Sequence, residues 1–365
     1  MNEGIAKFIP FVRNKFINLT RRQHTFGAEW NFAISSNVLF FMVWIACIGS
    51  LRADEKNPFL CDVPLHACWT HEDWQVLQQK LRMIDLAPLL QQNYPQDQGY
   101  TTFEDFLQRC SRGIRQTFID PAKGLFPQKS LEKIGEGGDL CIVSYASYDG
   151  LYPEFIQANA IALEAVGFNG YYLYAIGDFP NPTDQSMQFV GVPYSFKMGM
   201  MLEAKKLGFT KVLWIDSAVM PLRDPTPLFD WVEKTGALFL DTASFSTLWR
   251  YIFPSTVQLL KELTGTDVLR SRHVWGAIFG LKLNTSEASS FIDAYYQFAG
   301  LGFPFISCYP EQFVFSAIIG QEKYKKWVEE SFPNLLSLDF SEQINPRGEI
   351  DGLKKLGYYF YLRRH

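Results

Sequence analysis

A chain of 365 residues is long enough for one large domain with appendages and too long for a single ordinary core. Apolar residues make up 47% and charged residues 20%, the balance of a globular protein, so long disordered tracts are not expected. The formal net charge of −4 argues against a polyanion such as nucleic acid as the main partner. Residues 30–51 carry no charge, and the most apolar part, 38–48, reads VLFFMVWIACI. Lys7, Arg13, Lys15, Arg21 and Arg22 precede it, an asymmetry that would keep the N-terminus cytoplasmic and send the rest across. Residues 1–53 are therefore read as a basic segment with an apolar type II signal anchor, membrane-associated through 32–51, or as an exported chain's signal peptide with Gly49, Ser50 and Ala53 near the cleavage point. A buried core helix is the other reading of the same stretch.

Residues 54–137 read as a helical stem or cap, an α-helical region ahead of the main domain. Thr70, followed by Glu72 and Asp73, resembles a helix start, and Trp74, Leu77, Leu81 and Ile84 then follow helical spacing over 74–90. The stretch 102–118 repeats the pattern, with Phe103, Phe106, Leu107 and Ile114 on one face. The glycines around 135–138 mark a breaker and a domain boundary. From 138 to 365 the rhythm becomes strand then helix. Strands are expected at 139–145, 171–176, 211–215, 237–240 and 277–283, and helices at 151–167, 194–207 and 286–299. Such alternation predicts an α/β fold: a mostly parallel sheet with helices on both faces, whose ligands bind at the carboxyl ends of the strands. Of the six cysteines none forms a CxxC pair, which argues against a zinc or thioredoxin-type motif. Cys61 and Cys68 are close enough to bridge in an oxidising compartment, or are free thiols.

The strongest local signal is the stretch 211–225, KVLWIDSAVMPLRDP. An apolar strand runs straight into Asp216, whose carboxylate would accept from ribose hydroxyls, hold a divalent cation on a diphosphate, or simply cap the turn. This layout, with Trp214, Ile215, Asp216, Ser217 and Ala218 and then Asp224 before Pro225, resembles that of the GT-A glycosyltransferases, the nucleotide-diphospho-sugar transferase fold. The stretch 275–280, WGAIFG, resembles that family's Gly-rich strand beside the acceptor, and 311–315, EQFVF, its acid-Gln motif at a helix start. The three landmarks stand in the family's order over residues 139 to 330.

The resemblance implies a sugar transfer from a nucleotide-sugar donor to a hydroxyl acceptor on a glycan, lipid or protein. Asp216 and Ser217 would face the donor, and Tyr148, beyond the first strand, would stack on its base. Lys197 on the preceding helix, with Arg270 and Arg272, would neutralise the diphosphate. Trp275, Gly276 and Gln312 would line the acceptor side, and Glu311 would take the acceptor's proton. The chain departs from the family at Ala218, which stands where the second Asp of the Asp-x-Asp motif is expected. A Mn²⁺ or Mg²⁺ site would then need Asp216 with Asp241 or His273, or transfer would run without metal. For Lys197, Arg270, Arg272 and His273 a solvated surface role is the alternative; for Glu311 it is a helix-terminal acid.

Competing activities lack their motifs. A sugar-nucleotide pyrophosphorylase needs a Gly-rich basic loop after the first strand, where this chain has Ser147, Tyr148, Asp149 and Gly150. A dinucleotide-binding or methyl-transfer enzyme needs Gly-x-Gly there, whereas the glycine cluster precedes the strand. The non-enzymatic alternative is a degenerate GT-A-like fold that binds a glycan or a protein partner.

Overall fold

The computed structural model describes residues 79, 102–110, 128–147, 151–177, 192–241, 248–337 and 346–363. The apolar segment at 32–51, Cys47, Cys61, Cys68, Tyr148 and, apart from Gln79, the helix expected over 74–90 lie outside these residues. No helix among the described residues is long and apolar enough to cross a membrane. In chain order the first elements are α1 (Phe103–Arg109), β1 (Gln128–Ile134), β2 (Leu140–Ala146), α2 (Tyr152–Ala165), β3 (Gly170–Ile176), α3 (Phe196–Lys206), β4 (Lys211–Ile215), β5 (Val219–Pro221) and α4 (Thr226–Thr235). They are followed by β6 (Ala237–Asp241), α5 (Pro254–Thr264), β7 (Val274–Lys282), α6 (Ser286–Leu301), α7 (Pro310–Ile319), β8 (Leu336–Ser337), α8 (Pro346–Lys355) and β9 (Phe360–Leu362).

The strands expected from the sequence all form, within a few residues of their expected ends. The central sheet has the order β1-β3-β2-β4-β7-β6. Its inner strands are buried on both faces, which is why they read as unbroken apolar runs. Val212 and Trp214 of β4 enter one core cluster, while Leu213 and Ile215 enter the other. Cys141 and Val143 of β2 alternate with Ile142 in the same way. Helices cover both sides, with Met198 and Met200 of α3, Phe291 of α6 and Phe313 of α7 in the first cluster, and Ile156 of α2 and Phe229 of α4 in the second.

The sheet is mixed, with β2, β3, β4 and β6 sharing one direction and β1 and β7 running against them. β2 runs parallel to β3 and β4, but β7 is antiparallel to both β4 and β6, and β1 is antiparallel to β3. Strands buried on both faces carry no direction in their composition; the path of the connection sets it. β1 itself falls in the region read as helical. Its sequence, QKSLEKI, is charged and half exposed, as suits an edge strand, and it lacks the apolar run that marked the others. The glycine cluster at 135–138 is thus the turn between two strands of one sheet.

Two features bind distant parts of the chain to this frame. Thr102 caps α1 through a capping box with Asp105, and Phe103 and Phe106 pack on Phe253. A disulfide joins Cys110, at the end of α1, to Cys308, just before α7. No local pattern marks this pairing, because the two cysteines lie 198 residues apart. On the second face β5, β9 and β8 form a small sheet in the order β5-β9-β8, directly after the Asp216 turn.

Candidate functional site

Three separate segments converge at the carboxyl end of β4. α3 opens just after Ser195 and carries Lys197 in its first turn. Asp216 follows the last residue of β4, and its amide donates to the Ala277 carbonyl of β7 at 2.8 Å. α7 starts with Pro310 and places Glu311 in its first turn. Every residue of α7 is buried, so that turn sits inside the protein.

Lys197 links the three. Its Nζ lies 2.8 Å from Asp216 Oδ1 and 2.8 Å from Glu311 Oε1, and it donates to the Gly276 carbonyl at 2.8 Å. An ammonium has three protons, and three acceptors are in place. The side chain is 1% exposed, Glu311 is 3% exposed and Asp216 is 33% exposed, so only Asp216 opens toward solvent. The rings of Tyr194 and Trp214 stand 5.3 and 5.4 Å from the ammonium. Trp214 also donates its indole N–H to Asp216 Oδ1 at 2.8 Å. Asp216 Oδ2 takes no hydrogen bond from the described residues.

Gly276 is required by this packing. A Cβ there would stand 2.6 Å from Glu311 Oε1 and 2.9 Å from its Cγ. The pairing of β7 with β6 is irregular at the same place: Phe239 opposes Phe279, while the next residue, Leu240, opposes Trp275. Residues 276–278 thus have no partner on β6, and the Gly276 carbonyl turns to Lys197. Tyr194, at φ 62°, enters α3 in the left-handed region, and the Tyr295 hydroxyl donates to its carbonyl at 2.9 Å.

The electrostatics follow from burial and count. Burial pulls the Lys197 ammonium down, but Asp216 and Glu311 outweigh it and hold its pKa above the ordinary value. Burial pushes the Glu311 carboxyl up, Lys197 pulls it back, and Asp216 adds to the rise. One ammonium serves two carboxylates, and burial holds the Glu311 carboxyl above its ordinary range.

Several residues named from the sequence lie elsewhere. Arg272 donates from Nε to Asp241 Oδ2 at 2.8 Å and from Nη2 at 2.5 Å, and Ser331 also donates to that oxygen, at 3.2 Å. Asp241 and Arg272 therefore occupy each other. His273 is 4% exposed against the Phe313 ring, and burial lowers its pKa to about 4. Arg270 is almost fully exposed, with Asp267 3.8 Å away. Trp275 packs with the cluster on the face of α2 and α4. Gln312 is buried, and so is the side chain of Ser217.

The sequence reading missed Trp214, Asn159 and Arg363. Trp214 was within reach of it, since residues two apart on a strand share a face and Asp216 was already singled out. Asn159 and Arg363 gave no signal, because they reach the Asp216 turn from α2 and from beyond β9. Asn159 Nδ2 donates to the Ser217 carbonyl at 3.0 Å, and the Arg363 amide donates to the Ala218 carbonyl at 2.9 Å.

Among the described residues no three His, Cys, Asp or Glu side chains gather in one place. Asp216 offers one open oxygen, Ala218 offers none, and Asp241 is engaged by Arg272 and Ser331. Comparison with known proteins adds no family: no protein-family model matches the chain, and no curated protein matches its sequence.

Proposed function

We propose that the chain is a GT-A-like glycosyltransferase that moves a sugar from a nucleotide-diphosphate sugar to a hydroxyl acceptor. The observation that carries this reading is the convergence of Asp216, Lys197 and Glu311 at the carboxyl end of β4, where α/β sheets hold their ligands. Asp216, with one oxygen free and its side chain partly exposed, accepts from the donor's ribose hydroxyls. In an inverting transfer Glu311 takes the acceptor hydroxyl's proton while the oxygen attacks the anomeric carbon and the bond to the diphosphate breaks. A carboxyl held above its ordinary pKa by burial is a better base for that step than a solvated one. Lys197 does not reach the diphosphate in this scheme, because its three protons are committed. It holds the two carboxylates in register instead. No step is routed through a cation. The Cys110–Cys308 disulfide suits an oxidising compartment and supports an exported placement, whether anchored or released by signal cleavage.

The commitment of Lys197 and of Arg272 favours a second reading, a GT-A-like protein that binds a glycan or a partner without turnover. Thermal shift with UDP, GDP, CMP and their sugars, each with and without Mn²⁺, separates the two. One nucleotide raising the melting temperature, with its sugar transferred to a hydroxyl acceptor, supports the transferase. A flat response from folded protein overturns it and leaves the binding protein.

A further inference from the structure

The Asp216 turn is gripped from both faces of the sheet. On the first face Lys197 and Trp214 hold the carboxylate. On the second, every backbone carbonyl from 216 to 218 is engaged. Asp216 O accepts from the Val219 amide at 2.8 Å and Ala218 O from the Arg363 amide at 2.9 Å. Ser217 O accepts from Asn159 Nδ2 at 3.0 Å and from Arg363 Nη2 at 3.5 Å. Arg363 also donates to Asn159 Oδ1 and, at 3.5 Å, to the Phe155 carbonyl, and its guanidinium lies 4.2 Å from the Phe155 ring centroid. Asn159 is fully buried. These donors come from α2 and from the residue after β9, 58 and 146 residues from Ser217 in sequence. A three-residue turn that needed only to connect β4 to β5 would not require a guanidinium and a buried amide converging on one of its carbonyls.

We propose that Arg363, acting with Asn159, is a positioning residue for Asp216. Together they fix the Ser217 and Ala218 peptides so that the Asp216 carboxylate keeps its open oxygen at the strand end. Arg363 touches no reacting atom in this role; it acts through the backbone of the turn. The inference rests on the reading of Asp216 as the donor-contacting carboxylate, but the rigidity it claims is measurable without a donor.

The test uses the full chain with Arg363→Met, Arg363→Lys and Asn159→Asp. Asn159→Asp keeps the acceptor for Arg363 but loses the donor to Ser217, so it serves if Arg363→Met does not fold. Hydrogen exchange is followed at the Asp216 and Val219 amides and at residues 170–176 of β3 as an internal control. Titration follows the nucleoside diphosphate that the wild type binds. Arg363→Met and Asn159→Asp are expected to speed exchange at Asp216 and Val219 by roughly ten- to hundredfold, the loss of a hydrogen bond to a charged or buried group, with β3 unchanged. Nucleotide affinity should fall by about tenfold or more, with partial recovery in Arg363→Lys. Unchanged exchange at the turn, or an equal rise in β3, overturns the proposal and leaves Arg363 a general stabiliser. A wild type that binds no nucleotide, with the turn still loosened by both variants, sinks the transferase reading and keeps the positioning role.

Discussion

Replacing Lys197 by Met removes the one cation that the described residues place between Asp216 and Glu311, while keeping most of the side-chain volume. The variant leaves the Glu311 carboxylate buried at 3% exposure with no counter-ion. Breaking one partner of a buried pair typically costs about 3–5 kcal/mol. Glu311 can escape part of this by taking up a proton. From the ordinary carboxylate value of 4.5, protonation at pH 7 costs about 3.4 kcal/mol, at ~1.36 kcal/mol per pH unit. At pH 5 the same step costs only about 0.7 kcal/mol. The sign follows: the native variant binds a proton that the unfolded chain has released, so its stability rises as pH falls. Lys197→Met should therefore lose about 3–4 kcal/mol relative to wild type at pH 7, and about 2–3 kcal/mol of that loss should be recovered at pH 5. The double variant Lys197→Met with Glu311→Gln should be more stable at pH 7 than the sum of the single losses, because no buried charge remains. Urea denaturation followed by tryptophan fluorescence at both pH values measures all three. A loss under about 1 kcal/mol at pH 7, or an equal loss at pH 5, would refute the claim that Lys197 offsets the buried charge of Glu311.

Gly276→Ala forces a Cβ to within 2.6 Å of Glu311 Oε1 and should cost about 1–3 kcal/mol in urea unfolding, where Gly138→Ala, whose Cβ meets only the Asn169 carbonyl at 3.8 Å but which sits at φ 140°, gives a loss of backbone origin for comparison. His273, held near 4 from 6.5 by burial, contributes stability that is full above pH 6.5 and lost as pH falls toward 4, worth about 3 kcal/mol. His273→Phe should flatten that part of the stability curve, and an unchanged acid slope would place the acid sensitivity elsewhere. Cys308→Ser with Cys110→Ser should cost about 2–5 kcal/mol, and a reducing agent should lower the melting temperature of the wild type but not of the double variant.

The sequence determined the parts of this protein that depend on local pattern. Apolar runs such as 211–215 marked strands buried on both faces, and the acid after that run marked Asp216 as the residue at a strand's carboxyl end. Pro193 ahead of Lys197 and Pro310 ahead of Glu311 place both residues in first helical turns, and both stand there. Tertiary structure alone decided what these residues do to one another. Lys197 was read as a phosphate ligand because a lysine on a surface helix turn and one buried between two carboxylates have the same local sequence. Arg272 reads as a diphosphate partner and Asp241 as a cation ligand because a contact across 31 residues leaves no periodic trace. The direction of β7, the edge strand β1, the link from Cys110 to Cys308 and the grip of Arg363 on Ser217 share one physical origin. Each depends on which distant segments the chain's connections bring together, and hydrophobic spacing records burial but not the identity of the neighbour.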